Sequence, residues 1–550
     1  MKRNKNKMMA FAVIAILICG AFAALSTYER NVNLSDSYAI DNLLGSADYD
    51  INFSIPFGGS NTDTFRAVAA TTDGGFVAAG HSWSSSFGNG DWTGFTSRGG
   101  LSDAIIVKFD ADGNIVWKNN FGGSDEDRFN AVAETSDGGF VAVGYSFSSS
   151  FGNGDWVGVT GRGNNDAIIV KFDIDGNVVW KKNFGGSAPD YFYAVTATSD
   201  GGSVAAGNSH TNSIGNGDWA GVTGRGDDDA IIVKFDADGN VVWKTPFGGS
   251  ANDYFYAVTA TTDGGFVAAG HSWSSSFGTG DWIGVTGRGS TDAIIVKFDS
   301  DGNIVWKNYF GGSSVNSFYA VTATTDGGFV AIGVSFSGSF GNGDWTGVTG
   351  RGDNDAIIVK FDSDGNIVWK KNFGGIDNDQ FLAVTATTDG GSVAAGYSSA
   401  ASFGTGDWTG VTGRGYVDAI IVKFDIDGNV VWKKNFGGSS ADWFYAVAAT
   451  TDGSVVAVGD SAAASFGTGD WTGVTGRGGT DAIIVKFSET RNNNIDPIDD
   501  PTDVAIIMIK SIISLLAVIG VGLLVSRISS LISIGAATLV GLIIAMVWWL

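Results

Sequence analysis

The tripeptide Gly-Asp-Trp occurs seven times in this chain, and an Arg-Gly pair follows each copy within a few residues. An indole beside a carboxylate and a guanidinium suits sugar binding, because the ring covers a sugar face and the charged groups bond its hydroxyls. A second interpretation is that each Trp packs over the end of its own unit and orders a long loop. The candidate ligand contacts are Trp92, Trp156, Trp219, Trp282, Trp345, Trp408 and Trp471.

The seven copies of the surrounding sequence differ most just after Gly-Arg-Gly and just after Phe-Gly-Gly. The second of these variable sites contains Tyr191, Tyr254 and Trp443 in three of the copies. Drift in solvated loops explains such variation, and so does the tuning of a binding surface. The second explanation makes these three aromatic residues candidate ligand contacts as well.

Another repeated motif, Asp-x-Asp-Gly-Asn, has oxygen-bearing side chains at alternate positions, as in Asp110, Asp112 and Asn114. Such a pattern can begin a calcium loop. Apolar residues follow it where further carboxylates would be needed, and a tight turn alone also requires Asp, Gly and Asn. Calcium is therefore the only candidate cofactor. The three histidines lack metal-ligand spacing, and no catalytic constellation can be named.

These motifs lie in a unit that recurs about every 63 residues. Its most regular phrase, Asp-Ala-Ile-Ile-Val-Lys-Phe, begins at Asp103 and occurs seven times, and a Val-Trp pair follows the first six copies. Asp-Gly turns between β-branched runs predict hairpins, and no segment of the unit is long enough for a helix. The sequence therefore predicts an all-β fold, a seven-bladed β-propeller of four-stranded antiparallel blades over residues 50–488.

The seventh unit ends at Phe487 without its Val-Trp strand. A relative of that strand precedes the first unit at residues 50–57, where Phe53 takes the Trp position. Pairing this first strand with the last unit would close the ring and remove a free sheet edge. We therefore expect residues 50–57 to be the outer strand of the last blade.

The two ends of the chain predict the cellular location of the protein. Residues 1–24 have the charged, apolar and small-residue regions of a signal peptide, and residues 25–49 form a polar spacer. Residues 489–503 indicate an acidic stalk, and residues 504–550 are hydrophobic enough for one or two transmembrane helices. The expected location is the cell membrane, with an extracellular propeller whose long loops point away from the cell.

The balance of charge excludes one class of partner. The net charge is −24 at pH 7, whereas binding to nucleic acid phosphates needs a basic surface. No nucleic acid partner is expected.

Two phrases of the unit, Asp-Gly-Gly-Phe-Val-Ala-Ala-Gly and Lys-Phe-Asp-Ala-Asp-Gly-Asn-Ile-Val-Trp-Lys, resemble the β-propeller repeats of bacterial and archaeal cell-surface proteins. The second phrase is also similar to the repeat of pyrroloquinoline-quinone propeller enzymes, which usually has Thr-Gly-Lys where this chain has Asp-Gly-Asn. The first resemblance implies surface display. We therefore expect a membrane-anchored propeller that binds a glycan or a cell-surface protein, or that has a structural role in the envelope. The alternative is an extracellular propeller enzyme that acts on glycans.

Overall fold

The computed structural model describes residues 48–490, which form seven four-stranded antiparallel sheets. The predicted signal peptide and membrane anchor, and nearly all of the spacer and stalk, lie outside the described residues. In six sheets the four strands are adjacent in chain order, and the seventh sheet combines the last three strands with the first. Within residues 48–490 no helix is long and apolar enough to cross a membrane.

The sheets are the blades of a propeller, because the first strand of each blade contacts the first strands of both neighbouring blades. Those seven strands are innermost and surround a central channel. The predicted all-β, seven-bladed propeller is therefore confirmed.

Blades 1 to 3 each consist of four strands that are consecutive in the chain. Their bounds are β2 (Asp63–Ala70), β3 (Phe76–Trp83), β4 (Ser102–Phe109), β5 (Ile115–Phe121), β6 (Asp127–Glu134), β7 (Phe140–Phe147), β8 (Asn165–Phe172), β9 (Val178–Phe184), β10 (Asp190–Ala197), β11 (Ser203–His210), β12 (Asp228–Phe235) and β13 (Val241–Phe247).

Blades 4 to 7 repeat this arrangement, and β1 (Asp48–Phe57) completes the last blade. The bounds are β14 (Asp253–Ala260), β15 (Phe266–Trp273), β16 (Thr291–Phe298), β17 (Ile304–Phe310), β18 (Asn316–Ala323), β19 (Phe329–Phe336), β20 (Asn354–Phe361), β21 (Ile367–Phe373), β22 (Asp379–Ala386), β23 (Ser392–Ser399), β24 (Val417–Phe424), β25 (Val430–Phe436), β26 (Asp442–Ala449), β27 (Val455–Ala462) and β28 (Thr480–Thr490).

Short 3₁₀ helices occupy the long loops between the second and third strands. One set follows the second strand directly and comprises Ser84–Ser86, Ser148–Ser150, Ser274–Ser276, Ser337–Ser339, Ala400–Ser402 and Ala463–Ser465. The other set contains the Gly-Asp-Trp motif and comprises Gly90–Trp92, Gly154–Trp156, Gly217–Trp219, Gly280–Trp282, Gly343–Trp345, Gly406–Trp408 and Gly469–Trp471. The end of the propeller that bears these loops is called the long-loop face, and the opposite end, with the tight hairpin turns, is called the hairpin face.

The core lies between the blades. The third strand of each blade is apolar on both faces, and all eight residues of β4 are buried. Each hydrophobic cluster joins neighbouring blades, as where Ile106 of blade 1 and Phe129 of blade 2 belong to one cluster. Because both faces of a blade are covered, a continuous run of apolar residues is stable there.

The ring closes as the sequence predicts. The strand β1 pairs antiparallel with β28, and Phe53 lies opposite Lys486 as Trp117 lies opposite Lys108 in blade 1. The expectations that residues 50–57 pair with the last unit, and that Phe53 takes the Trp position, are both confirmed.

The outer strands also connect each blade to the next. The indole N–H of Trp117 donates to the carbonyl of Ile174 in the next blade at 2.9 Å, and the corresponding Trp residues of blades 2 to 5 make the same bond. The closing residue Phe53 has no N–H to donate. In blade 6 the ring of Trp432 instead stacks on Tyr49 of β1, with centroids 5.0 Å apart.

Candidate functional site

Every innermost strand contains a β-bulge immediately after its invariant Phe. In β10, Phe192 pairs with Gly207 and Ala194 pairs with Ala206, so Tyr193 has no partner across the sheet. The other six innermost strands shift register at the same place. A bulge re-aims a side chain. The seven bulge residues are Arg66, Asn130, Tyr193, Tyr256, Tyr319, Leu382 and Tyr445.

The glycine opposite each bulge is required by the close approach of the two strands. A Cβ atom on Gly207 would lie 1.8 Å from the carbonyl oxygen of Tyr191, so no larger residue fits. The equivalent glycines of all seven blades meet the same obstacle. The repeated Val-Ala-Ala-Gly phrase therefore encodes the bulge.

The bulge residues line the channel. Rings at this position contact each other from blade to blade, with centroids 5.4 Å apart for Tyr193 and Tyr256 and 5.8 Å apart for Tyr256 and Tyr319. Across the closure of the ring, the guanidinium carbon of Arg66 lies 4.1 Å from the ring centroid of Tyr445. These side chains are all partly exposed. Because neighbouring blades cover both faces of each sheet, the surface they expose faces the channel.

A second layer of variable residues lies two positions before the bulge residues, at the start of the innermost strands. These residues are therefore at the mouth of the channel on the long-loop face. Each of these residues pairs with one residue of the second strand. The pairs are Thr64 with His81, Arg128 with Tyr145, Tyr191 with Asn208, Tyr254 with His271, Ser317 with Val334, Gln380 with Tyr397 and Trp443 with Asp460.

This layer contains three of the residues singled out in the sequence. Tyr191, Tyr254 and Trp443 are strand residues at the channel mouth, partly exposed, and not members of a solvated loop. The bulge residues, the second-layer residues of the innermost strands and their partners on the second strands differ strongly between otherwise similar units. The Phe and Gly next to them are the same in all seven units. We call the bulge residues and the second-layer pairs together the channel site.

Tyrosines from blades 2 to 5 form a continuous aromatic wall in the channel site. The rings of Tyr191 and Tyr193 are parallel, with centroids 6.0 Å apart, and so are those of Tyr254 and Tyr256. Tyr145 packs edge-on against Tyr191 at 5.1 Å. Such contacts hold the rings in place without help from a ligand.

The hydroxyl groups of this wall divide into two kinds. At the mouth they are bonded: Tyr254 donates to Asp228 at 2.6 Å, and Tyr191 accepts from the side-chain amide of Asn165 at 2.7 Å. The bulge tyrosines Tyr193, Tyr256 and Tyr319, in contrast, have neither a hydrogen-bond partner in residues 48–490 nor a buried oxygen. Burial raises the pKa of Tyr319 to about 12. Burial raises the pKa of the other bulge tyrosines, Tyr193, Tyr256 and Tyr445, still further, so these hydroxyls remain protonated donors.

Blades 7, 1 and 2 form a charged sector that adjoins the aromatic wall at blade 2. The Arg128 Nε atom lies 2.9 Å from the Glu126 carboxylate, which also accepts the Tyr145 hydroxyl at 2.8 Å. His81 is only 3% exposed, and its Nδ1 atom has no partner in the described chain. Burial lowers the pKa of His81 well below its usual range, and the positive charges of Arg128 and Arg66 lower it further.

Asp460 is a carboxylate of this sector that interacts electrostatically with Arg66. It is 5% exposed and accepts a bond from the Thr64 hydroxyl at 3.0 Å, while its Oδ1 atom has no partner among residues 48–490. Burial raises the pKa of Asp460 to about 6, against the opposing effect of the Arg66 charge. Asp460 therefore contributes little to the exposed surface of the channel.

The seven Gly-Asp-Trp tryptophans occupy a different place from the one expected for sugar platforms. None has any exposed surface, so a ligand cannot reach them, and the platform interpretation is corrected. Each indole N–H donates to a serine of the second strand, as Trp156 does to Ser146 at 3.1 Å. The residues concerned are Trp92, Trp156, Trp219, Trp282, Trp345, Trp408 and Trp471.

A buried polar residue begins each innermost strand beneath these tryptophans, an Asp in six blades and Asn316 in blade 5. Trp156 also donates to Asp127 at 3.0 Å, and Asp127 accepts the Ser150 hydroxyl and the Gly123 amide. Burial raises the pKa of Asp127 to about 6 in spite of these bonds. The packing interpretation therefore describes these residues.

The Asp and Arg that accompany each Trp form a ring of ion pairs on the long-loop face. Each Arg reaches the Asp of the next blade, and Arg477 closes the circle with Asp91 at 3.0 Å. The other pairs are Arg98 with Asp155, Arg162 with Asp218, Arg225 with Asp281, Arg288 with Asp344, Arg351 with Asp407 and Arg414 with Asp470.

The calcium candidates lie in a hairpin turn on the hairpin face. The Asp110 carboxylate accepts the backbone N–H groups of Asp112 and Asn114 and the Asn114 side-chain amide, at 2.8–3.0 Å. These bonds lower the pKa of Asp110. Within the described chain no three His, Cys, Asp or Glu residues are grouped so as to hold a metal. The turn explains the motif without a cation, and calcium stays a prediction.

The chain matches no family model and no curated protein. Among solved structures it is similar to a protein of unknown function from Bacteroides caccae, with 14% identity and a TM-score of 0.30 over 62% of this chain and 92% of that one. It is also similar to the extracellular domain of a hybrid two-component system from B. thetaiotaomicron, with 9% identity and a TM-score of 0.38 over 82% of this chain and 44% of that one. A third similar structure is Sqt1 from Chaetomium thermophilum, with 11% identity and a TM-score of 0.34 over 79% of this chain and 100% of that one. The molecule is a seven-bladed β-propeller, and these similarities concern that fold alone.

Proposed function

We propose that the protein is a membrane-anchored, surface-displayed propeller that binds a glycan or a cell-surface partner at the channel site. The single observation that carries the proposal is the position of the variation. Units that are otherwise nearly identical differ at the bulge and second-layer positions, and all of these positions surround one channel. Drift in solvated loops explains the variation just after Gly-Arg-Gly, where Leu101 and Tyr416 are exposed, but the channel positions lie on strands.

The geometry of the chain ends supports display of this site. Asp48 pairs with Thr490 at the hairpin face, so both ends of the described chain leave from that side. The predicted anchor at residues 504–550 would continue from there. The channel mouth is on the opposite, long-loop face, where a partner outside the cell could reach it.

A ligand on the axis of the ring contacts several blades at once, so each chain offers one site and not seven. We therefore expect calorimetry to give one ligand per chain for the purified full-length protein in detergent. Ligands are first sought on a glycan array and on intact cells. A stoichiometry near seven would contradict the channel site.

Substitutions at the aromatic wall test the location of binding. Tyr191→Leu and Tyr254→Leu should each weaken binding about tenfold, because stacking on one aromatic ring contributes about 1–2 kcal/mol. Tyr309→Leu is the matched control, since Tyr309 is also a partly exposed tyrosine but lies on the outermost strand of blade 4. Equal losses in control and test variants would argue against the channel, and no binding at all would favour the structural envelope role.

The alternative function, an enzyme acting on glycans, draws on one observation. Asp460 has an unpartnered buried oxygen and a pKa of about 6, which suits a proton donor in mildly acidic solution. Hydrolysis of any glycan that binds, abolished by Asp460→Asn with binding retained, would establish it. Binding without hydrolysis would leave the binding function alone.

A further inference from the structure

The arginines of the described chain fall into two groups. Residues 48–490 contain nine arginines, and seven of them form the ring of ion pairs between blades. The remaining two, Arg66 and Arg128, both belong to the channel site and lie on adjacent blades. In a chain with a net charge of −24, the two arginines that have no part in the ring thus both lie at the channel.

Arg66 is free to bind an anion. It makes no ion pair within residues 48–490, and its guanidinium lies over the ring of Tyr445 at 4.1 Å, which fixes its orientation. Arg128 differs, because Glu126 already pairs with it at 2.9 Å. Asp460 is almost fully buried and bonded to Thr64. Arg66 is therefore the one guanidinium at the channel surface with bonds to offer.

The tyrosines of the bulge layer are donors too. Tyr193, Tyr256 and Tyr319 present hydroxyls without partners in residues 48–490, and no bulge residue is a carboxylate. A ligand that satisfies this surface must supply oxygen acceptors around its perimeter and one negative charge. Phenol rings at the mouth provide flat apolar faces beside these donors.

We propose that the channel site binds a carboxylate-bearing saccharide. The carboxylate lies on the Arg66 guanidinium, the ring oxygens and hydroxyls accept bonds from Tyr193 and Tyr256, and a sugar face covers Tyr191 or Tyr254. This inference rests on the proposed function and names the chemistry of its ligand. A carboxylate held by a guanidinium is a charge-assisted contact, the strongest single one that this surface can make.

The test compares trigalacturonate with its fully methyl-esterified form, which keeps the sugar faces and loses the charge. Calorimetry uses the full chain in detergent. We expect the ester to bind at least about tenfold more weakly, as loss of a charge-assisted hydrogen bond predicts. In Arg66→Gln the acid and the ester should bind equally. In Tyr256→Phe, which removes only the hydroxyl, both should weaken by about fivefold.

Arg288→Gln is the matched control. Arg288 also lies over a tyrosine, at 4.2 Å from the ring centroid of Tyr309, but it belongs to the ring of ion pairs. Its substitution should leave both affinities unchanged. Thermal unfolding of each variant checks that the fold is intact, and Arg66→Lys, which keeps the charge, should retain part of the preference for the acid.

Four results would overturn the inference in distinguishable ways. Equal binding of acid and ester to the wild type, still weakened by Tyr191→Leu, would remove the acidic ligand and keep the channel as a binding site. A preference for the acid that survives Arg66→Gln would place the anion elsewhere. A glutamate-rich peptide that competes as tightly as trigalacturonate, and depends on Arg66, would replace the saccharide by a peptide. Absence of binding on the glycan array and to cells would remove the proposed function itself.

Discussion

Trp156→Ala should lower the free energy of unfolding by about 4 kcal/mol. Truncation of a buried Trp to Ala costs about 3–5 kcal/mol, because packing is lost and a cavity remains. Trp156 has no exposed surface, and its ring lies 4.9 Å from that of Phe121 and 5.0 Å from that of Phe151. The loop cannot collapse freely into the cavity, since the Asp155 amide is bonded to the Gly122 carbonyl at 2.8 Å.

Trp156→Phe separates packing from hydrogen bonding. The phenyl ring fills much of the space, and the variant loses the indole N–H. Asp127 would still accept bonds from Ser146, Ser150 and the Gly123 amide, so it is not left unpaired. The expected loss is therefore only about 1 kcal/mol, the usual contribution of one hydrogen bond.

The assay is guanidinium unfolding of the full chain in detergent, followed by circular dichroism. Trp83→Ala is the control, because Trp83 is 41% exposed and its replacement should cost less than about 1 kcal/mol. A loss below about 1 kcal/mol for Trp156→Ala, or equal losses in the two alanine variants, would refute the packing role. Lost glycan binding with an unchanged unfolding curve would instead restore the platform interpretation.

Three further predictions concern closure, pH and anchoring. Deletion of residues 48–57 should bare the edge of β28 and cause aggregation in size-exclusion chromatography, whereas deletion of residues 26–47 should not; a monomeric product of the first deletion would contradict it. Burial raises the pKa of carboxyls such as Asp127 to about 6, so the stability that their protonated form contributes is lost as the pH rises through 6. Hydrogen bonds from Lys171 and Thr135 lower the pKa of the turn carboxyl Asp137 to about 2. Protonation of such turn carboxyls therefore destabilises the fold as the pH falls below 4. The melting temperature should therefore rise from pH 7 to pH 5 and fall below pH 4, and a steady decline from pH 7 would be the contrary result. Truncation after Asp500 should release the propeller into the medium, and sedimentation of that product with membranes would count against the anchor.

The fold could be predicted from the sequence because its determinants are local and repeated. Asp-Gly turns at fixed intervals determine the hairpins, and the missing Val-Trp strand of the last unit identifies its replacement at the other end of the chain. Alignment of the two Gly-Gly pairs was sufficient to place Phe53 opposite Lys486. The register of a strand follows from its turn, so a turn visible in sequence determines which residues pair.

The tryptophans show a choice between packing and binding that the sequence left open. A Gly- and Ser-rich loop suggests an exposed Trp, but the 3₁₀ turn at Gly154–Trp156 directs the indole back into the blade. What holds it there is the buried Asp127, which lies 29 positions earlier in the chain. No local pattern reveals a hydrogen bond over such a separation.

Part of the channel site could be found by variation, and part of it was missed. Tyr191, Tyr254 and Trp443 are recognisable because they differ between copies. Arg66 and Tyr193 were missed, because the position between Phe and Ala reads as an ordinary strand residue. The useful pattern was a variable residue in an otherwise constant strand, opposite a glycine that never varies.

The position of this variation also argues for the size of the ligand. Residues at the rim of a ring of seven blades are far apart, so a small ligand there would contact one blade, and identical rims would bind identical ligands. Residues at the axis contact the same ligand from seven directions. An asymmetric ligand presents a different chemical group to each blade, and identical residues could not bind all of these groups. The Arg66 guanidinium on blade 1 and the tyrosines on blades 3 to 5 differ in the way that one small ligand at the axis requires.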